Sequence, residues 1–131
     1  MKNLVLIIAA MCLFPSCQES LEDRCEKELK EYTKKKCPAE IAENTFIDSI
    51  TFDRKTHTIH YHYTLSGMAD NASLISKANP RELLVKEIRN STSSLIYKEN
   101  GYSFEYTYRS KKNPKEILFN TIVTKKDYEK K

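Results

Sequence analysis

Two glycines and four prolines are all that 131 residues contain, too few for a collagen-like, low-complexity or linker-rich chain. With 40% apolar and 31% charged residues the composition is that of a compact folding domain, and the length allows one such domain. No apolar run approaches the roughly 20 residues needed to cross a bilayer core of about 30 Å. A GxSxG turn, a glycine-rich phosphate loop and a CxxC pair are also missing, so no catalytic residue and no cofactor is expected. The formal charge of +4 is not gathered on one face. Lys34 to Lys36, Lys111 with Lys112, and Lys125, Lys126, Lys130 and Lys131 form separate clusters among acids. A nucleic-acid surface needs a continuous basic patch with stacking aromatics, so these clusters read as solvated faces, the last with an option on anionic lipid.

What the chain does have at its start is a targeting segment. Lys2 precedes the apolar run Leu4 to Met11, and Leu13, Phe14, Pro15, Ser16 and Cys17 follow, the layout of a signal peptide over residues 1–16. A small residue directly before a cysteine resembles the bacterial lipobox, in which the thiol receives a diacylglycerol and the cysteine becomes the first residue after cleavage. Phe14 and Pro15 depart from the commoner Leu and Ala. Cys17 is thus the expected lipidation site, and the expected location is a bacterial cell envelope, on the outer membrane. A secretory signal without acylation is the alternative, and Cys12 is a poor rival because Met11 is not small. Cleavage removes one Lys and no acid, taking the charge from +4 to +3. Residues 17–131 are left as the single domain, with a frayed basic C-terminus.

Inside that domain the remaining thiols are Cys25 and Cys37. An oxidising envelope permits a disulfide between them. Continuous helix from one to the other would separate their α-carbons by about 18 Å, against the 4 to 7 Å or so of a bridge. Pairing therefore requires the helix to end early and the chain to reverse before Pro38.

Ser20 to Lys36 carries consistent helix signals. Ser20 with Asp23 resembles a capping box, Glu22 and Asp23 sit in the first turn, Lys34 to Lys36 in the last, and Pro38 stops the run. Leu21, Cys25, Leu29 and Tyr32 form one narrow apolar stripe. The period then changes to two. Phe46 to Asp53 and His57 to Leu65 read as a hairpin in which Ile59, Tyr61, Tyr63 and Leu65 face the core while Thr58, His60, His62 and Thr64 face away. After a polar Asn- and Ser-rich stretch, Asn79 and Pro80 open a helix with Leu83, Leu84, Glu87 and Ile88 on its inner edge. A shorter helix follows from Ser91 or Thr92 to Asn100, stopped by Gly101. Asn100 with Gly101 also fits a hairpin turn, which would make Leu95 to Lys98 a strand; the helix is preferred. Alternation returns with Tyr102, Phe104, Tyr106 and Tyr108 inward, and in the last strand with Ile117, Phe119 and Val123 inward.

These segments carry a resemblance. Cys37 with Pro38, NTFIDSITFD from Asn44, HTIHYHYTLSG from His57 and NGYSFEYTYRSKKNPKEILFNTIVTKKDY from Asn100 resemble a family of small exported bacterial proteins of unassigned function, over roughly residues 37–128. The resemblance implies a strand pair, two helices and a second hairpin opened by a glycine, and it brings no catalytic residue. Members often carry cysteines in the middle helices and at the end; this chain has none there, so no disulfide is carried over.

Two constellations have chemical content. His60 and His62 project from one strand face about 7 Å apart, and two imidazoles so placed are a candidate metal pair. Zinc normally takes a third or fourth ligand, for which Asp48 or Glu105 on a neighbouring strand would serve. His57 points to the opposite face unless the strand bulges. The competing reading is a polar outward face that happens to use histidine. Tyr61, Tyr63, Tyr102, Tyr106 and Tyr108 could line an aromatic cleft, but their alternation favours a core with hydroxyls at its rim.

The expected architecture is therefore α+β in two layers: an N-terminal helix, a β-hairpin, two middle helices and a second β-hairpin, with four antiparallel strands packed on helices. The expected function is that of a lipid-anchored, non-catalytic binding module. It would meet the membrane through its anchor and an envelope protein as partner, and would not meet nucleic acid. The alternatives are an inhibitor or immunity protein against an envelope-attacking enzyme, and a metal or small-ligand carrier.

Overall fold

The computed structural model describes residues 19–129. The signal-peptide and lipidation positions, Cys17 included, and Lys130 and Lys131 lie outside the described residues. The chain runs α1 (Leu21–Lys36), β1 (Ala39–Ala42), β2 (Thr45–Asp53), β3 (Thr58–Leu65), a 3-10 turn (Gly67–Ala69), α2 (Ala72–Ala78), α3 (Arg81–Asn90), α4 (Leu95–Glu99), β4 (Ser103–Ser110), β5 (Ile117–Val123) and α5 (Lys125–Glu129).

The α+β class stands, but the sheet is not four antiparallel strands. It has five, in the order β1-β2-β3-β4-β5, and its central pair, β3 with β4, is parallel while the other neighbours are antiparallel. The connection explains this. The helical segment between Leu65 and Ser103 carries the chain back to the end at which β3 began, and such a crossover lays the next strand parallel. β1 is too short for its period to register in the sequence; Asn44, at φ 59°, turns it into β2.

Helix α1 matches its signals. Ser20 accepts the Asp23 N–H at 3.1 Å as the N-cap, and the helix runs unbroken to Lys36. Cys25 is fully buried in the core, against which Leu21, Leu29 and Tyr32 also pack. Because the helix does not end early, the condition for pairing Cys25 with Cys37 is not met, and both thiols are free. Burial pushes the Cys25 thiol up to about 11.

Three helices rather than two fill the crossover. The unexpected one, α2, lies in the polar stretch, where Asn71 caps it by accepting the Leu74 N–H at 3.2 Å and Asn79 ends it in the left-handed region. On α3, Leu84 and Ile88 are buried but Leu83 is 60% exposed, since adjacent helical residues point about 100° apart and only one edge meets the sheet. Residues 95–99 are helical, as preferred over the strand. The Lys98 ammonium closes the end of α3 by donating to the Ile88 and Arg89 carbonyls at 2.8 and 3.0 Å. Gly101 then turns the chain at φ +74°.

The C-terminus is not frayed over the residues described. Lys125–Glu129 is helical and Tyr128 is buried, its one hydroxyl proton shared between the Tyr102 and Lys98 carbonyls at 3.0 and 3.2 Å. One aromatic among four charged residues of that helix supplies the docking. Ile117 departs from expectation in the other direction. A register shift between Tyr108 and Arg109 sets Ile117 opposite Arg109, on the outer face, where it is 52% exposed; Phe119 and Val123 remain inward.

The core lies between the inner sheet face and the helices. Ile47, Ile50, Ile59, Phe104, Tyr106 and Val123 meet Cys25, Leu84, Ile88, Tyr97 and Tyr128 there. The tyrosines stack across the parallel seam, Tyr61 on Tyr106 with ring centroids 4.9 Å apart and Tyr63 on Tyr108 at 4.7 Å. They are core, as the alternation indicates. No described helix is long and apolar enough to cross a membrane.

Candidate functional site on the helix-free sheet face

Alternation sends the other half of each strand to the face without helices. The parallel register places His60 opposite Glu105 and His62 opposite Thr107. On the flanks Thr51 of β2 lies opposite His60 and Asn120 of β5 lies opposite Thr107. These side chains form two hydrogen-bonded sets that meet where the His60 and His62 rings lie against each other. His60 Nε2 lies 2.6 Å from Thr107 Oγ1, and Asn120 Nδ2 donates to Thr107 Oγ1 at 2.7 Å and to Glu105 Oε2 at 3.0 Å. His62 Nε2 lies 3.0 Å from Thr51 Oγ1. With the amide proton supplied by Asn120, the Thr107 hydroxyl proton is left for His60 Nε2. The imidazole proton then sits on Nδ1, which faces Glu105 Oε1 at 3.5 Å.

The structure brings His60 and His62 together, with ring centroids 3.9 Å apart, closer than the strand spacing alone implies. Burial lowers the pKa of both below the ordinary value of 6.5. For His60 the Glu105 carboxylate opposes this and the Arg109 charge adds to it; for His62 the neighbouring His60 and Arg109 add to it. Both rings are therefore neutral at neutral pH. Asp48 occupies the bulge in β2 near His62, where its carboxylate accepts from the Thr64 hydroxyl at 2.5 Å. His57 leaves the set, its ring stacking on Tyr102 at 5.1 Å.

As a metal pair, His60 and His62 lack what was needed. Among the described residues no three His, Cys, Asp or Glu are set to hold an ion; both Nε2 atoms are engaged by hydroxyls and Asp48 is turned to Thr64. Thr107, His60 and Glu105 follow the order of a nucleophile triad. Thr107, however, is 2% exposed, and β4 is paired on both sides, so β4 itself has no spare N–H to offer a developing oxyanion. What the arrangement offers is a fixed polar plate with a shallow groove of about 460 Å³ beside it, lined by Thr51, Asp53, Thr58, His60, Glu105 and Ile122.

Thr51, Thr107 and Asn120 were not singled out from the sequence. Alternation would have put them on this face, but only the parallel pairing of β3 with β4 tells which residues meet.

The match that places the chain among known proteins spans residues 20–119, from the N-cap of α1 into β5. The chain belongs to the family of the domain of unknown function DUF8479. The fold is also similar to the 1.60 Å crystal structure of a protein from Pseudomonas aeruginosa that is inferred to be secreted, with a TM-score of 0.64 and 15% identity over 85% of this chain and 99% of that one. At that identity the likeness concerns the fold alone. No curated protein matches the chain. The DUF8479 match takes in every residue of the polar plate except Asn120 and Ile122.

Proposed function

We propose that this chain is a lipid-anchored protein of the bacterial outer membrane that works by binding an envelope protein, with the helix-free sheet face as its contact surface. The observation that carries the reading is the asymmetry of the sheet. One face builds the core; the other holds two histidines, two threonines, a glutamate and an asparagine in two hydrogen-bonded sets that meet at the imidazoles. Side chains fixed in this way lose little freedom when a partner arrives, which removes part of the cost of association. Ser16 and Cys17 after the apolar run support the anchor, and a fold shared with a protein inferred to be secreted accords with export. The reading is non-enzymatic and involves no cofactor and no nucleic acid.

The test is crosslinking of intact envelopes followed by recovery of the tagged chain, with Thr51→Arg and Cys17→Ser in parallel. Thr51 is exposed on this face, so the arginine disturbs the surface and not the core. The reading predicts a discrete partner that Thr51→Arg loses, and a Cys17→Ser chain that is unprocessed or released. An unchanged partner with Thr51→Arg, or no partner at all, contradicts the contact surface; unchanged membrane fractionation and mature mass contradict the anchor.

A further inference from the structure

The two ends of the domain differ. At one end the first turn of α1 is fastened to the β2–β3 turn by Arg54, which donates to Asp23 and Glu26 at 2.9 and 2.8 Å. Helix α4 joins it through the Tyr97 hydroxyl on Glu28 at 3.1 Å, and α5 through the Tyr128 hydroxyl on the Lys98 carbonyl. Here Leu95 and Ile96, consecutive on α4, are 51% and 38% exposed, with exposed Lys55, Lys125 and Lys126 on the neighbouring elements. The opposite end carries the β1–β2 turn, the 3-10 turn and the β4–β5 loop, joined by the Ser66 N–H on the Asn44 carbonyl and the Lys112 N–H on Asp70.

We infer that the α1 end of the domain rests on the bilayer, with Leu95 and Ile96 entering its surface. This rests on the reading of Cys17 as the acylated residue. Three residues separate Cys17 from Leu21, a reach of about 14 Å even when extended, and α1 begins at the end that bears the apolar pair. An acyl anchor so short offers the bilayer this end and no other. A second contact is also what a lipid-anchored domain gains from, since an apolar patch adds to the acyl chains when it sinks about 5–10 Å into the boundary between headgroups and chains. Glu22, Glu99 and Glu129 lie at the same end, and Glu129 pairs with Lys125 at 3.7 Å. The lysines are thereby offset, and the contact is apolar first.

The chain contains no tryptophan, so one introduced indole reports its own surroundings. The full acylated chain carrying Leu95→Trp is reconstituted in vesicles of phosphatidylethanolamine and phosphatidylglycerol, with and without brominated acyl chains; Ile96→Trp serves as a second probe should the first fold poorly. Met68→Trp, at the opposite end and 82% exposed in the native residue, is the comparison. The expected result is flotation of all variants with the vesicles, with a blue-shifted emission for the α4 indoles that bromine quenches, and no quenching at position 68. Flotation with no more quenching at 95 and 96 than at 68 overturns the seating and leaves the anchor intact. A chain that does not float overturns the anchor, and the seating with it.

Discussion

The Thr33 hydroxyl bridges both backbone groups of Ile50, donating to its carbonyl at 3.1 Å and accepting from its N–H at 3.0 Å. β1 pairs with β2 only as far as Ile47, so beyond that point β2 would present an open edge. A side chain from α1 takes the place of the missing strand, binding the first helix to the sheet with directional bonds as well as through Cys25 and Leu29.

Thr33→Val keeps the shape and removes both bonds, leaving a part-buried N–H and C=O without partners. It is expected to destabilise the domain by about 1–3 kcal/mol, while Thr33→Ser, which can still bridge, loses much less. Urea denaturation of the two variants beside the native chain checks this; equal midpoints for Val and Ser would show that the bridge contributes nothing.

The faces of the sheet predict a ranking. Phe104, with no exposed surface, is expected to cost about 3–5 kcal/mol on truncation to Ala, whereas His62→Ala is expected to cost about 0.5 or less. Tyr102 adds a sharper case. It is 2% exposed and its hydroxyl has no hydrogen-bond partner among the described residues, so Tyr102→Phe removes an unpaired buried oxygen and leaves stability equal or higher. Denaturant midpoints that place His62→Ala beside Phe104→Ala, or Tyr102→Phe well below the native chain, would reverse the assignment.

How much of this was legible in the sequence follows from the range of each signal. The α1 cap and stop, the inward aromatics and the outward His60 and His62 are set by neighbours a few residues away, and the period exposes them. The parallel pairing of β3 with β4 is decided across a long helical crossover, which no local pattern encodes. That one fact hid the meeting of His60 with Glu105 and Thr107, and so hid the network. α5 was missed because its docking depends on one residue, Tyr128, reaching a carbonyl on Tyr102.

The same network sets a pH response. The fold holds His60 and His62 neutral by lowering both pKa values below 6.5, with Asp48, Glu105 and Arg109 as the charged groups facing them. As the pH falls through about 6.5 the unfolded chain takes up protons first, so the stability present above that point is lost progressively below it, until the folded rings titrate as well. Comparing denaturation midpoints at about pH 7.5 and about pH 5.5 should show the loss, and His60→Gln with His62→Gln should flatten it. An equal loss in the double variant would assign the response to other groups.

The claim that matters most is that the helix-free face meets the partner, and site-directed photo-crosslinking in the native envelope tests it most directly. A photoreactive phenylalanine analogue is placed at Thr51 or Asn120 on that face and, for comparison, at Lys77 or Glu82 on the helical side, all four exposed. The account predicts one discrete protein adduct from positions 51 and 120 and none from 77 and 82. Adducts from the helical positions alone would contradict it.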